Sequence, residues 1–136
     1  MKSTGCMKFH FSSNLKRVRE ASARILKQLD GTKCTQSHLF DIRLCFEEAF
    51  INAVKYGNQG RPRQEINVEL IKHPDRIEIA VWDHGKGFDF DHSVDPTLKE
   101  NLNKPGGRGV YLIKKLMDRA VYEKNSRCLR MTKLLN

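Results

Sequence analysis

The sequence predicts an α+β protein, a two-layer sandwich in which three main helices cover one face of a mixed, largely antiparallel sheet. Three observations lead there. Apolar residues recur at helical spacing in three separate stretches, five shorter segments have strand character, and turn residues join four of those segments into two hairpins.

In chain order, Lys8 to Phe11 reads as a short first strand. Ser12 or Ser13 then caps a helix that carries Leu15, Val18, Ser22, Ile25, Leu26 and Leu29 at helical spacing, with Gly31 as its stop. A second helix starts near Thr35 or Ser37, runs through Leu39, Ile42, Cys45, Phe46, Ala49 and Ala53, and ends in Tyr56-Gly57-Asn58-Gln59-Gly60. Glu65 to Ile71 turns Ile66, Val68 and Leu70 to one face, and Arg76 to Trp82 does the same with Ile77, Ile79 and Val81. The turn His73-Pro74-Asp75 pairs these two as a hairpin. Between 84 and 109 the periodicity fades, and this stretch holds five of the nine glycines and two of the four prolines. A segment that long without regular structure is expected to serve function, and it reads as a lid. Val110, Leu112, Ile113, Leu116 and Met117 mark a short third helix, and Ala120 to Glu123 and Cys128 to Leu134 close the sheet as a strand pair around Lys124-Asn125-Ser126.

Neither repeats nor linkers divide the chain, so its 136 residues are expected to form one domain, 1–136. A fold of that size buries about two-thirds of the surface its unfolded chain exposes. Apolar residues at 39% and charged residues at 30% are a globular balance, not a disordered one. The sequence has no apolar run of membrane-spanning length and no secretory h-region near Met1, which predicts a cytoplasmic protein without a membrane partner. Cys6, Cys34, Cys45 and Cys128 form no C-x-x-C pair and are expected to be reduced, structural thiols. Lys and Arg outnumber Asp and Glu by 25 to 16, a formal +9, which calls for an acidic partner: a nucleotide, a nucleic acid or an acidic protein surface.

Three segments carry candidate chemistry. Glu48 and Asn52, four residues apart on the second helix, share one face. An amide oxygen is a suitable hard ligand for Mg²⁺, and a carboxylate one turn away can take or orient a proton; the pair is equally what the wet face of an amphipathic helix looks like. At the end of the second hairpin strand stands Asp83-His84-Gly85-Lys86-Gly87-Phe88. A carboxylate there can accept a hydrogen bond from the amino group of adenine, and Gly85 and Gly87 let backbone approach a ligand, although D-x-G-x-G also makes a good tight turn. Gly106-Gly107-Arg108-Gly109 immediately precedes the third helix, where free N–H groups and the positive end of the helix dipole can face a triphosphate; alone it is also a loop that happens to end in a helix. It matches neither the P-loop nor the dinucleotide-binding fingerprint.

The order of these segments resembles the GHKL ATPases. Glu48-Ala49-Phe50-Ile51-Asn52-Ala53-Val54-Lys55-Tyr56-Gly57 is similar to their N box, Asp83 to Phe88 to their first glycine box, and Gly106-Gly107-Arg108-Gly109-Val110-Tyr111-Leu112-Ile113 to their second. With the continuation Lys114-Lys115-Leu116-Met117-Asp118, the chain resembles the bacterial anti-sigma factor serine/threonine-protein kinases over roughly residues 7–135. The resemblance implies a Bergerat ATP-binding fold, ATP with Mg²⁺ as cofactors, and phosphorylation of a serine on an anti-anti-sigma (STAS-type) antagonist protein by a regulator that sequesters a sigma factor, with homodimers possible. It implies that Asn52 holds Mg²⁺, Glu48 is the general base and Asp83 reads adenine. Gly85, Gly87, Gly106, Gly107, Gly109 and Val110 would then line the nucleotide. Two departures stand out. Where some relatives place a basic residue ahead of the second glycine box that touches the terminal phosphate, this chain has Lys104-Pro105, and Arg108 sits inside the box where many have an apolar residue; the resemblance leaves open whether Arg108, Lys104 or neither supplies that charge.

Other classes fit less well. No phospho-accepting helical pair precedes the ATPase region, which disfavours a two-component sensor kinase. His10, His38, His73, His84 and His92 show no zinc-binding spacing. Eleven aromatics, most at core positions, do not interleave with the basic residues, so direct nucleic-acid binding is not expected. The alternative to a kinase is a catalytically weak module in which ATP only gates a protein-binding surface.

Overall fold

The computed structural model describes residues 5–58, 64–84 and 107–136, with Tyr56 and Arg108 given by their backbone alone. Among the described residues, five strands and three α-helices follow the order β1 (Gly5–Ser12), α1 (Val18–Lys27), α2 (Gln36–Asn52), β2 (Glu65–Lys72), β3 (Arg76–Trp82), α3 (Gly107–Leu116), β4 (Arg119–Glu123) and β5 (Cys128–Leu134). The strands form one sheet in the order β1-β2-β3-β5-β4, and each neighbouring pair runs antiparallel. The architecture is α+β, as expected.

Strand β1 is twice as long as its local pattern suggests because β2 sets its length: all eight residues pair, from Gly5 opposite Lys72 to Ser12 opposite Glu65. The cap of the first helix also differs from expectation. Ser12 lies in β1, the buried Ser13 accepts a hydrogen bond from Asn58 Nδ2, and Asn14 Oδ1 takes the Lys16 N–H at 3.0 Å instead. A 3-10 turn, Leu15–Arg17, then leads into α1. Beyond that helix Gly31 adopts φ +82°, a conformation costly for any residue with a Cβ, which suits it as the stop.

Helix α2 opens on a reciprocal cap. The His38 N–H donates to Thr35 Oγ1 at 3.2 Å, and His38 Nδ1 accepts from the Thr35 N–H at 3.0 Å, so an imidazole fills the place a Glu or Gln usually takes. After Asn52 the helix widens into a π-turn, Ala53–Gly57, closed by the Asn58 N–H on the Ala53 carbonyl at 2.7 Å. Such turns recur at functional sites.

The core lies between the helices and one face of the sheet. Alternation turns Phe9, Phe11, Ile66, Val68, Leu70, Ile77, Ile79, Val81, Leu129 and Met131 inward, against Ile25 of α1, Ile42, Phe46 and Phe50 of α2, and Ile113 of α3. Lys133 ties the layers together: its Nζ bonds Asp41 Oδ2 of α2 at 2.9 Å and the Leu116 carbonyl of α3 at 2.7 Å. All four cysteines are free, and burial pushes the Cys45 thiol up to about 12. Among the described residues no helix is long and apolar enough to cross a membrane.

Candidate functional site

The site begins where α2 and α3 touch. Ala49, Phe50 and Phe46 anchor α2 in the core, leaving Glu48 half-buried at the side and Asn52 one turn on, 2% exposed. Val110 and Ile113 seat α3 on the same core, and Cys45 Sγ points at the Leu112 carbonyl, 3.9 Å away. The first turn of α3 thereby presses on the Glu48 and Asn52 face. A Cβ placed on Gly109 would stand 2.6 Å from Glu48 Oε2, 3.2 Å from Asn52 Nδ2 and 3.4 Å from Glu48 Cβ. Only glycine fits there without displacing the carboxylate. Residues 57 positions apart in sequence, the Asn52 and Gly109 motifs, thus form one surface.

Asn52 Nδ2 is buried with no hydrogen-bond partner. An orphaned buried donor costs about 1–3 kcal/mol, and the great majority of buried polar groups avoid that cost. An amide at this place offers an oxygen to a hard cation and an NH₂ to an anionic oxygen. The first turn of the ten-residue α3 brings its backbone N–H groups and the positive end of the helix dipole to the same place. These groups fit a magnesium-bound phosphate chain. Three or more clustered His, Cys, Asp or Glu side chains suited to a metal do not occur among the described residues.

Asp83 follows the last residue of β3 and is 4% exposed. Its N–H donates to the Arg127 carbonyl at 3.2 Å, and its Oδ2 accepts from the Tyr122 hydroxyl at 3.2 Å. The next residue links this strand end to α2. The His84 N–H donates to Asn58 Oδ1 at 2.6 Å, and Asn58, 1% exposed, also donates through Nδ2 to Ser13 Oγ at 3.2 Å and to the Glu65 carbonyl at 3.4 Å. One amide therefore holds together the exit of α2, the end of β1, the start of β2 and the end of β3. Beyond it, His84 Nε2 meets Asn67 Nδ2 at 2.9 Å, and Asn67 Oδ1 meets His10 Nδ1 at 2.6 Å, a polar chain running out onto the helix-free face.

Of the sequence-based candidates, Glu48, Asn52 and Gly109 are in one cluster, and Asp83 is joined to its helix through His84 and Asn58. Val110 is buried in the core, so what it can offer a ligand is its backbone N–H. Gly107 and Arg108 are the first two residues of α3. Gly85, Gly87, Lys104 and Gly106, and with them residues 85–106 of the stretch that reads as a lid, lie outside the described residues.

Sequence reasoning missed Asn58 and Tyr122. Asn58 reads as part of a turn, and nothing local shows that it is buried. Tyr122 left a signal: it occupies the inward-facing position of a strand, and a buried tyrosine hydroxyl needs a polar partner. A concavity of about 430 Å³ lies elsewhere, on the helix-free face of the sheet among Glu78, Arg119, Val121, Glu123, Arg130 and Thr132. Its wall is closed by the Glu123–Arg130 ion pair at 2.9 Å, and it shares no residue with the cluster around Glu48.

A family model of the histidine kinase-like ATPase domain matches residues 11–133. The chain is 32% identical over 109 residues to a protein named Serine-protein kinase RsbW of Bacillus velezensis, covering 75% of this chain and 68% of that one. The protein of the same name from Bacillus subtilis is 30% identical over 109 residues, with 75% and 68% covered. A protein named Anti-sigma F factor of Oceanobacillus iheyensis is 32% identical over 110 residues, with 79% and 73% covered.

Proposed function

Because the chain belongs to the histidine kinase-like (GHKL) ATPase family, in the branch of the bacterial anti-sigma factor serine/threonine-protein kinases, we propose that it is an ATP-dependent serine kinase of a partner-switching pathway. Its substrate is a serine on an anti-anti-sigma (STAS-type) antagonist, and its second partner is a sigma factor or an analogous regulator. The observation that carries this reading is the contact of Gly109 with Glu48 and Asn52, next to a buried amide donor that the protein leaves unpaired.

Each residue has one task. Asn52 would hold Mg²⁺ through its amide oxygen, and the ion would supply neutralisation of charge on the phosphates. The N–H groups opening α3 take phosphate oxygens, with Arg108 or Lys104 as the cation for the terminal one. Asp83 accepts the amino group of adenine. Glu48 takes the proton of the serine hydroxyl as its oxygen bonds to the γ-phosphorus; the bond from that phosphorus to the β-bridging oxygen breaks, and ADP leaves. Phosphoryl transfer is mainly positioning and charge neutralisation, so these groups suffice. The charge of +9 suits a triphosphate and an acidic protein surface. All described strands share one sheet and the helices pack with it around one core, which supports a single domain over 1–136, and the outer strands of the sheet are where a second copy would pair.

The test is calorimetric titration of ATP, ADP and GTP with Mg²⁺ into wild type and Asp83→Asn, followed by phosphotransfer with Glu48→Gln. Adenine-selective binding lost in Asp83→Asn, and transfer lost in a Glu48→Gln variant that still binds ATP, are expected. Transfer surviving in Glu48→Gln would remove Glu48 as the base. Transfer absent from wild type that binds ATP would leave the ATP-gated binding module.

A further inference from the structure

We propose that Tyr122 positions the base-reading carboxylate and through it sets the preference for a 6-amino over a 6-oxo purine; this rests on the reading of Asp83 given above. The β4–β5 hairpin holds Asp83 at two points. The Arg127 carbonyl in its turn takes the Asp83 N–H, and the Tyr122 hydroxyl on β4 donates to Oδ2, each at 3.2 Å. Cross-strand register explains the reach. Tyr122 stands opposite Leu129, and Leu129 stands opposite Val81, so the three form an inward-facing row across β4, β5 and β3. Asp83 is two residues beyond Val81, on the same face by alternation, at the distance a phenol ring can span.

The hydroxyl helps to set what kind of partner the carboxylate is. A donated hydrogen bond favours the ionised form of a carboxyl group, and an ionised carboxylate only accepts. Such a group welcomes the amino group of adenine and repels the carbonyl oxygen of hypoxanthine. With Asp83 at 4% and Tyr122 at 6% exposure, water is poorly placed to replace the phenol. Without the hydroxyl, the carboxylate loses one of the donors that fix its orientation, and its discrimination between a 6-amino and a 6-oxo group weakens. Tyr122 touches no reacting atom.

The experiment is competition binding of ATP and ITP, with Mg²⁺, to the full chain as wild type, Tyr122→Phe, Asp83→Asn and the double variant. Sucrose in every sample favours the compact state, so a weakened variant still reports. The expected result is that Tyr122→Phe narrows the ATP:ITP affinity ratio by about tenfold or more, the scale of a hydrogen bond to a charged group. It should add little to Asp83→Asn. A merely structural tyrosine would change the melting temperature and leave the ratio alone. An unchanged ratio in Tyr122→Phe, with wild type selective, overturns this inference only. A wild type that binds neither nucleotide, or both alike, overturns the reading of Asp83 and this inference with it.

Discussion

Replacing Gly109 by alanine separates positioning from folding at the α2–α3 contact. Non-bonded carbon and oxygen approach to about 3.3–3.6 Å, whereas the new methyl would stand 2.6 Å from Glu48 Oε2, so the carboxylate must retreat by about 0.7 Å or α3 must lift. The carboxylate is the end of a flexible side chain and gives way first. Asn52 Nδ2, at 3.2 Å and on a 2% exposed residue, has less room. Overpacking costs about 1–3 kcal/mol, and losing a helical glycine returns about 0.5–1 kcal/mol, so the net loss of unfolding free energy lies between about 0 and 2.5 kcal/mol. Catalysis is far less forgiving, because a misplacement near 1 Å can cost about 10²-fold. Urea melts and phosphotransfer at saturating ATP, measured on the same preparation, should show a nearly intact fold with transfer down about 10²-fold. Wild-type transfer in a folded Gly109→Ala would refute the claim that this contact aims Glu48.

Asn52→Leu removes the orphaned Nδ2, so it should unfold about 1–2 kcal/mol harder than wild type in urea without ligand, while Mg²⁺-ATP no longer raises its Tm. Lys133→Met cuts the tie from β5 to Asp41 and to the Leu116 carbonyl, in which the ion-paired Lys133 and Asp41 side chains are only 13% and 17% exposed, and should cost about 1–3 kcal/mol in the same assay. Much of that loss should return in Lys133→Met/Asp41→Asn, which leaves no buried carboxylate unpaired. Burial holds the Cys45 thiol at about 12 against an ordinary 9.0. Its contribution is then fully present below pH 9 and is lost as pH rises towards 12, since the unfolded chain releases a proton the native one keeps. Comparing urea midpoints at pH 8 and about pH 10.5 should show a smaller fall for Cys45→Ala than for wild type.

Local periodicity carried most of the fold. Helix α2 and the β2–β3 hairpin were legible because their apolar spacing is regular and their ends are marked by Thr35 and by His73-Pro74-Asp75. Two misplacements have a non-local cause. The extra residues of β1 come from pairing along the whole of β2, and Ser13 does not cap α1 because Asn58, 45 residues on, claims its hydroxyl. At the site, the shared face of Glu48 and Asn52 followed from helix geometry alone. That Gly109 lies against them did not, since only the packing of α3 brings the two motifs together. Asn58 and Tyr122 escaped for the same reason: their roles come from bonds to residues 26 and 39 positions away.

Several of the described features that cost stability lie at one end of the sandwich, while another, the buried His73 Nε2 that lacks a hydrogen bond although Glu78 Oε1 stands 3.1 Å away, lies in the β2–β3 turn at the other. The unpaired Asn52 amide and the π-turn lie at the exit of α2, the buried Asp83 carboxylate at the exit of β3, and Arg127, at φ 55°, in the turn that holds Asp83. Trp82 pairs with Cys128, so the last two sit side by side. The Lys133 tie lies towards the other end of β5, near Arg76 and Leu134 at the far end of β3. A chain that pays for polar groups left unsatisfied where a ligand is to bind recovers that energy on binding. A ligand at 100 times its Kd adds about 2.7 kcal/mol to folding free energy, comparable to the cost of the orphaned donor. Nucleotide affinity and the stability of this end are then one quantity seen from two sides. Variants that make the unliganded protein more stable at Asn52 should weaken nucleotide binding, whereas strengthening the Lys133 end should leave binding unchanged.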